Sequence, residues 1–233
     1  MNRHLLYILM LIFIGCESQT TTETSNSELL IIGMDVSQSA EKMPRITTEK
    51  LKDFLAAITE SNIGKTVLIA PIGNPSNEPF LKLNLPEIPV ARVSGSLTER
   101  KKATIKANRI REKNQGTIDR FVERYEAEVV QRKAEKYTDL EGFFEKISHI
   151  CQEPQYRDHK KTVMIYSDGK HSVEKKEGIT NIRADGLHGV SFYTIGISNK
   201  VLIGRLNATQ RVSPEAFFKN FLHQIKHSHY AKN

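Results

Sequence analysis

Short apolar runs alternate with segments of helical periodicity along most of this chain. The runs "LLIIGM", "KTVLIAPIG", "VMIYSDG" and "GVSFYTIGIS" have the length and continuous hydrophobicity of buried strands. The intervening "ITTEKLKDFLAAITE" and the later "SPEAFFKNFLHQIKH" place apolar residues at helical spacing. This alternation predicts a doubly wound α/β fold, with a mostly parallel central sheet and helices on both faces.

Two further segments depart from this simple alternation. The stretch "FLKLNLPEIPVARV" alternates apolar and polar residues close to prolines, which predicts an edge strand or an irregular hairpin. Residues 97–136 form a charged segment with an apolar stripe after Gly116 and mostly Lys, Arg and Asn before it. We predict a helical insertion made of two helices with a break near Gly116. Its charge either solvates an exposed face or forms a docking surface for an acidic partner.

The first residues have the layout of an export signal. Arg3 precedes an apolar run that ends at Ile14, and Gly15 and Cys16 follow. The ending "FIGC" resembles a bacterial lipobox, in which the cysteine becomes the first mature residue and carries the lipid. The apolar run is far shorter than the roughly 20 residues of a membrane-spanning helix. We therefore predict a lipoprotein signal peptide over residues 1–15 and lipidation of Cys16; a plain secretory peptide with an incidental cysteine is the alternative.

The segment that follows Cys16 is polar and has little apolar surface to bury. Residues 16–27 are therefore predicted to be a flexible tether, which would hold the rest of the chain on the order of 20 Å from the membrane. Residues 28–233 are long enough for one domain with a sizeable core. With a lipid on Cys16, Cys151 would have no disulfide partner and is predicted to be a small buried hydrophobe. These features predict a lipid-anchored protein of the bacterial cell envelope, in the inner or outer membrane, with its domain in the periplasm.

Carboxylates follow two of the predicted strands. Asp35 ends the first run and is followed by the hydroxyls of Ser37 and Ser39, and Asp168 follows a later run in "VMIYSDG". Ligands of parallel sheets bind outside the carboxyl ends of the strands, so these carboxylates converge if the two strands are neighbours. Two converging carboxylates repel each other unless a cation lies between them. Oxygen ligands suit Mg²⁺, Mn²⁺ or Ca²⁺, so the sequence predicts a divalent-cation site.

The D-x-S-x-S motif after a buried strand resembles the metal-ion-dependent adhesion site of von Willebrand factor A domains. That family adds a threonine on a loop that opens a later helix, which Thr138 matches in "YTDLEGFFEKI". It also adds an aspartate in an S-D-G turn, which Asp168 matches in "YSDGK". The resemblance implies a von Willebrand factor A-like domain whose metal ligands are Asp35, Ser37, Ser39, Thr138 and Asp168. It further implies a binding module, not an enzyme, with a protein ligand whose carboxylate reaches the cation.

Two other function classes remain open from the residues alone. A metal-dependent hydrolase or phosphatase would also begin with an aspartate after a first strand, although Ser37 stands where such enzymes usually have a second acid. The formal net charge of +7 would attract anionic surfaces, acidic proteins or nucleic acid. A nucleic-acid partner is disfavoured, because no basic face rich in aromatic residues is evident and an exported lipoprotein rarely meets DNA.

Overall fold

A central six-stranded sheet organises the protein. The computed structural model describes residues 27–43, 45–73, 78–90, 95–173, 176–177, 186–197, 209–211, 213, 216–217, 219 and 221. The strands are β1 (Glu28–Asp35), β2 (Lys65–Ile72), β3 (Leu81–Leu85), β4 (Lys160–Tyr166), β5 (Ser172–Val173), β6 (Lys176–Glu177), β7 (Ser191–Ile195) and β8 (Thr209–Arg211). The sheet has the order β3-β2-β1-β4-β7-β8, and β5 pairs with β6 in a separate hairpin.

The pairing of the strands confirms the predicted doubly wound architecture. β1 lies at the centre and pairs in parallel with β2 on one side and with β4 on the other. β4 pairs in parallel with β7, and β7 with β8. Only β3, at one edge, runs antiparallel to its neighbour among the described strands of the sheet, which confirms the predicted edge strand.

The helices of the described chain are α1 (Thr48–Thr59), α2 (Leu97–Tyr125) and α3 (Leu140–Gln152). Thr47 caps α1, because its side chain accepts a hydrogen bond of 3.3 Å from the Lys50 N–H. Near the C-terminus, residues 216, 217, 219 and 221 are helical, and Ser213 Oγ accepts a hydrogen bond of 3.1 Å from the Ala216 N–H.

The predicted break near Gly116 is wrong. α2 runs without interruption from Leu97 to Tyr125, and residues Glu126–Val130 continue it as one turn of π-helix. A glycine inside a helix costs only about 1 kcal/mol relative to alanine. That cost is offset here by a buried stripe that continues on both sides of Gly116, formed by Ala107, Asn114, Ile118, Phe121, Val122 and Tyr125.

Each face of the sheet is covered by its own apolar cluster. Leu30 and Ile32 of β1 point to the face that packs against α1 and the second half of α2. Val163 and Ile165 of β4 point to the opposite face, which packs against α3. All four side chains are buried on adjacent parallel strands. The sheet is therefore a central layer between two layers of helices.

The sequence predictions for the N-terminus lie largely outside the described residues. The signal peptide, Cys16 and all but the last residue of the tether belong to the part of the chain that is not described. Within the described part, no helix combines the length and apolar character needed to cross a bilayer. Cys151 is free and buried, as predicted, and its burial raises the pKa of the thiol to about 11.

A buried ion pair lies where β1 and β2 begin, at the end of the sheet away from Asp35. Glu28 and Lys65 are register partners, and Lys65 Nζ lies 3.6 Å from Glu28 Oε2. Lys65 Nζ also donates a hydrogen bond of 2.6 Å to Ser61 Oγ. Burial outweighs the attraction of Glu28 and lowers the pKa of Lys65 to about 8.

This lowered pKa predicts a rise in stability with pH. An unfolded lysine keeps its proton up to about pH 10, so between pH 8 and pH 9.5 the unfolded chain binds more protons than the folded one. We expect the free energy of unfolding to gain about 1 kcal/mol from Lys65 over this window, measured by urea denaturation. Lys65→Met should remove the gain, whereas Lys133→Met, at an exposed lysine, should keep it. A gain of equal size in both variants would contradict the assignment to Lys65.

Candidate functional site

The carboxyl edge of the sheet brings the ends of β1 and β4 together. Asp35, the last residue of β1, lies beside Ser167, and its Oδ2 accepts a hydrogen bond of 2.6 Å from Ser167 Oγ. Asp35 Oδ1 accepts a hydrogen bond of 2.9 Å from the Ser37 N–H. The same oxygen accepts one of 3.4 Å from Thr138 Oγ1. One carboxylate therefore joins three loops that are far apart in the sequence.

Burial governs the charge of this carboxylate. Asp35 is only 3% exposed, and its desolvation raises its pKa above the ordinary value. The hydrogen bonds from Ser167 and Ser37 lower the pKa, and the negative charge of Asp168 raises it. A cation at this edge would act against the desolvation and the repulsion, since an opposite charge favours the ionised form of a carboxyl group.

The loop after β1 turns two hydroxyls toward each other, as the D-x-S-x-S motif predicts. Residues Gln38–Ala40 form a single 3₁₀ turn directly after Ser37. Ser37 Oγ and Ser39 Oγ lie 3.1 Å apart, with Ser37 buried and Ser39 exposed. The two hydroxyls thus lie between the buried carboxylate of Asp35 and the surface of the protein.

Backbone hydrogen bonds fix the loop that contains Thr138. The Glu135 N–H donates to the Val36 carbonyl at 2.9 Å, and the Gln38 N–H donates to the Glu135 carbonyl at 2.8 Å. Thr138 and Ser172 exchange two backbone hydrogen bonds of 2.9 Å. The position of the Thr138 hydroxyl is therefore set by main-chain pairing with the loops that follow β1 and β4.

Two side chains accept hydrogen bonds from backbone N–H groups at the N-terminus of α3, which begins two residues after Thr138. Asp139 Oδ1 accepts a hydrogen bond of 2.8 Å from the Gly142 N–H, and His171 Nδ1 accepts one of 3.2 Å from the Leu140 N–H. Because Nδ1 accepts, a neutral ring carries its proton on Nε2, which lies 3.9 Å from Glu141 Oε2. His171 thus links the loop after β4 to the start of α3.

Asp168 lies at the same edge in a tight turn. Its Oδ1 accepts a hydrogen bond of 2.9 Å from the Lys170 N–H, and Gly169 makes the turn with a φ of 77°. Its Oδ2 is buried and makes no hydrogen bond to any described residue, although Lys170 Nζ lies 3.6 Å away. The edge therefore contains a buried carboxylate oxygen that accepts no hydrogen bond from the described part of the chain.

All five predicted residues come together along this edge. Ser37 and Thr138 contact Asp35 directly, Ser39 contacts Ser37, and Asp168 acts on Asp35 through its charge. That these five residues are metal ligands stays a prediction.

Sequence reasoning missed two residues of this arrangement, Ser167 and His171. Ser167 stands in the "YSDG" turn directly after β4, so its place beside the β1 carboxylate could have been inferred from the neighbouring strands. Nothing in the sequence marks His171, because its role depends on α3 packing beside the loop that contains it.

No protein-family model matches this sequence. No curated protein matches it either. Among solved structures, proximal thread matrix protein 1 from the mussel byssus, with a zinc-occupied MIDAS motif, is 12% identical over 86% of this chain and 47% of that chain, at a TM-score of 0.40. The manganese-loaded TRAP protein of Plasmodium vivax is 13% identical over 84% of this chain and 72% of that chain, at a TM-score of 0.37. BatB from Bacteroides thetaiotaomicron is 11% identical over 88% of this chain and 100% of that chain, at a TM-score of 0.40. The chain thus spans about half the length of the mussel protein.

The order of the loops agrees with the resemblance drawn from the sequence. β1 leads into the D-x-S-x-S loop, the threonine loop opens α3, and the S-D-G turn follows β4, the neighbour of β1. The fold resembles that of von Willebrand factor A domains. Its doubly wound sheet explains why residues from distant parts of the chain meet at one edge, since parallel neighbours present their carboxyl ends on the same side.

The possible metal-ligand atoms of the five predicted residues are all oxygens. Two belong to carboxylate side chains, Asp35 and Asp168, and three to hydroxyls, Ser37, Ser39 and Thr138. Oxygen donors fit Mg²⁺, Mn²⁺ and Ca²⁺, whereas the usual zinc sites contain nitrogen or sulfur ligands. Within the described residues, no three His, Cys, Asp or Glu side chains form a metal cluster. A site built mainly from hydroxyls does not need one.

Proposed function

We propose that this protein is a metal-dependent protein interaction module attached to a membrane of the bacterial cell envelope. One Mg²⁺, Mn²⁺ or Ca²⁺ ion would be held by Asp35, Ser37, Ser39, Thr138 and Asp168. A carboxylate from a protein partner would complete the coordination of that ion. The observation that supports this proposal is the buried Asp35 carboxylate, which holds three loops together at the ligand-binding edge of the sheet.

The charges at this edge favour a cation. Asp35 and Asp168 repel each other, and the Asp168 Oδ2 atom is buried without a hydrogen bond from the described residues. Lys170 Nζ, 3.6 Å from Asp168 Oδ2, belongs to an exposed side chain and compensates that carboxylate weakly, whereas a divalent cation would compensate both groups. The remaining donors are neutral hydroxyls, so the cation would keep enough positive character to attract an anionic oxygen from a partner.

The membrane attachment in this proposal rests on the sequence of residues 1–27. A lipid on Cys16 followed by a polar tether would leave the domain free to turn its cation edge toward partners in the periplasm. The lipid anchor and the cation site are separable parts of the proposal, because the anchor lies outside the folded domain.

The experiment that tests the function is capture from native envelopes with the full-length protein. Wild-type and Asp168→Asn proteins would be incubated with solubilised envelopes in Mg²⁺ or in EDTA, and the captured proteins would be compared by mass spectrometry. We expect a set of partners that only the wild type retains, and only with the cation. Phosphoester turnover would be measured in the same samples, and we expect none that depends on Mg²⁺.

Two results would count against this function. Partners retained equally in EDTA, or by Asp168→Asn, would place binding elsewhere on the protein. Mg²⁺-dependent phosphoester turnover that disappears in Asp168→Asn would favour the hydrolase alternative, because catalysis would then depend on the carboxylate that we propose as a ligand of the cation.

Ser167→Ala is expected to weaken cation binding without removing it. Ser167 donates to Asp35 Oδ2 at 2.6 Å and therefore fixes the orientation of a proposed ligand without being one. Losing such a supporting hydrogen bond typically costs about tenfold or more in metal affinity. Calorimetric titration with Mn²⁺ would measure the change. Ser148→Ala, which removes a buried hydroxyl that accepts from the Gly186 N–H, is the matched control and should leave the affinity unaltered.

A further inference from the structure

The first part of α2 projects from the body of the domain. Residues 97–106 are exposed except for the half-buried Ala103, and the first buried residue of the helix is Ala107. At a rise of 1.5 Å per residue, this exposed part is about 15 Å long. It offers a surface on most sides of the helix.

This projecting part is a preformed helix. Ser96 and Glu99 form a capping box: the Glu99 N–H donates to Ser96 Oγ at 3.3 Å, and the Ser96 N–H donates to Glu99 Oε2 at 2.7 Å. The other end of α2 is fixed to the body, because the Tyr125 hydroxyl donates to the Ile46 carbonyl at 2.9 Å. A partner that binds the projecting part would therefore meet an ordered surface with little entropy left to lose.

The projecting part and the two helical turns that follow it, residues 97–113 in all, are strongly basic. The cations of residues 97–113 are Arg100, Lys101, Lys102, Lys106, Arg109, Arg111 and Lys113. Only Glu99 and Glu112 oppose them in this range, and Glu99 is engaged in the capping box. The helix therefore presents a concentrated positive charge on a domain face that no described element covers.

Two exposed apolar side chains, Leu97 and Ile105, belong to the same helix. Among the described residues, the large hydrophobic side chains that are exposed are Val90, Leu97 and Ile105, with exposures of 62%, 77% and 55%. Leu97 and Ile105 are eight residues apart with Lys101 midway, so the three lie along one stripe of the helix. Aliphatic side chains set among lysines and arginines are the composition of helices that lie in a membrane interface.

We propose that residues 97–113, which we call the basic helix surface, dock onto an anionic lipid bilayer. The cations would approach the head groups, and Leu97 and Ile105 would enter the boundary between head groups and acyl chains. The aliphatic residues favour lipid over nucleic acid, whose bases stack on aromatic side chains, and residues 97–113 contain none. The long, flexible stems of the lysines also fit a laterally mobile sheet of charge better than a protein surface of fixed geometry.

Vesicle sedimentation with residues 17–233, the predicted mature chain without Cys16, tests this proposal. This protein contains neither the lipidated cysteine nor the apolar run before it, so neither can account for binding, and EDTA would be present, so that the cation site does not contribute. Vesicles of phosphatidylcholine alone would be compared with vesicles in which about a third of the lipid is phosphatidylglycerol. We expect binding at least about tenfold tighter to the anionic vesicles, and weaker binding as salt is raised.

Two triple variants with the same loss of charge locate the binding surface. Lys101, Lys102 and Lys106 changed to Gln should weaken binding to the anionic vesicles by about tenfold or more. The control changes Lys42, Lys133 and Lys160 to Gln, at exposed lysines outside the basic helix surface, and should alter binding less than about twofold. Ile105→Gln should also weaken binding, although it leaves the charge unaltered. Circular dichroism would check that each variant is folded.

Several results would overturn the proposal. Equal loss in both triple variants would mean that net charge alone drives binding. Equal affinity for neutral and anionic vesicles would exclude head-group recognition. Self-association in sedimentation velocity that the Lys101, Lys102 and Lys106 variant abolishes, without vesicle binding by the wild type, would identify a second copy of the chain as the occupant of this surface.

Discussion

Asp35→Asn is expected to abolish the thermal stabilisation that Mg²⁺ or Mn²⁺ gives to the wild-type protein. A ligand that binds only the folded state adds about 2.7 kcal/mol when it is present at a hundredfold excess over its dissociation constant. Asn keeps the shape of the side chain and an oxygen that can accept from the Ser37 N–H, but it removes the charge that attracts the cation. Differential scanning calorimetry in each cation and in EDTA would measure the effect.

The same substitution should be well tolerated when no cation is present. Asp35 is desolvated and lies near the negative charge of Asp168, so removing its charge relieves two unfavourable interactions. We therefore expect Asp35→Asn to melt in EDTA no lower than the wild type. Asp119→Asn, at a carboxylate paired with Lys52 on the surface of α2, makes the same chemical change elsewhere and should keep the full response to cations. A cation response of wild-type size in Asp35→Asn would end the proposal that this carboxylate is a ligand.

Gly33→Ala is expected to destabilise the fold by about 1–3 kcal/mol, the usual cost of overfilling a packed core. A Cβ atom at Gly33 would lie 2.7 Å from Phe143 Cε1 and 2.8 Å from Ile72 Cδ1, closer than carbon atoms can approach. Phe143 belongs to α3, so the absence of a side chain at Gly33 allows α3 to pack directly on β1. Urea denaturation monitored by circular dichroism would give the change in the free energy of unfolding.

Two companion variants make this interpretation specific. Phe143→Leu combined with Gly33→Ala should be more stable than the sum of the two single effects predicts, because the smaller side chain leaves room for the added methyl group. Gly116→Ala is the control, since a Cβ there meets nothing within 4 Å. Inside the exposed part of a helix it should stabilise the protein by up to about 1 kcal/mol. Additive changes in the free energy of unfolding would show that the side chains at positions 33 and 143 do not interact sterically.

Much of the fold could be predicted because a strand that is buried on both faces appears in the sequence as a continuous run of apolar residues. β1 and β2 are buried at every position, so each reads as a continuous apolar run flanked by polar residues. The length of α2 could not be read in the same way. Gly116 weakens the helical signal locally, but the apolar stripe from Ala107 to Tyr125 packs on the body of the domain and outweighs one glycine.

The proximity of the candidate residues could be predicted from the sequence, whereas the contacts that support them could not. The motif predicted that Asp35, Ser37 and Thr138 would meet, and they do so through hydrogen bonds. The main-chain pairing of Glu135 with the loop after β1 left no trace, because backbone groups are identical at every residue. The contact of His171 with the start of α3 likewise depends on tertiary packing that no local pattern encodes.

The hydrogen bonds that define the site join residues far apart in the chain. Asp35 contacts Thr138 across 103 positions and Ser167 across 132. Joining residues so far apart costs loop-closure entropy, so the site is complete only when β1, β4 and the loop of Thr138 are all in place. No fragment that lacks either β1 or β4 can contain it. If the proposed cation binds there, a response to cations would report that both distant parts of the chain are folded, and not only that the metal is bound.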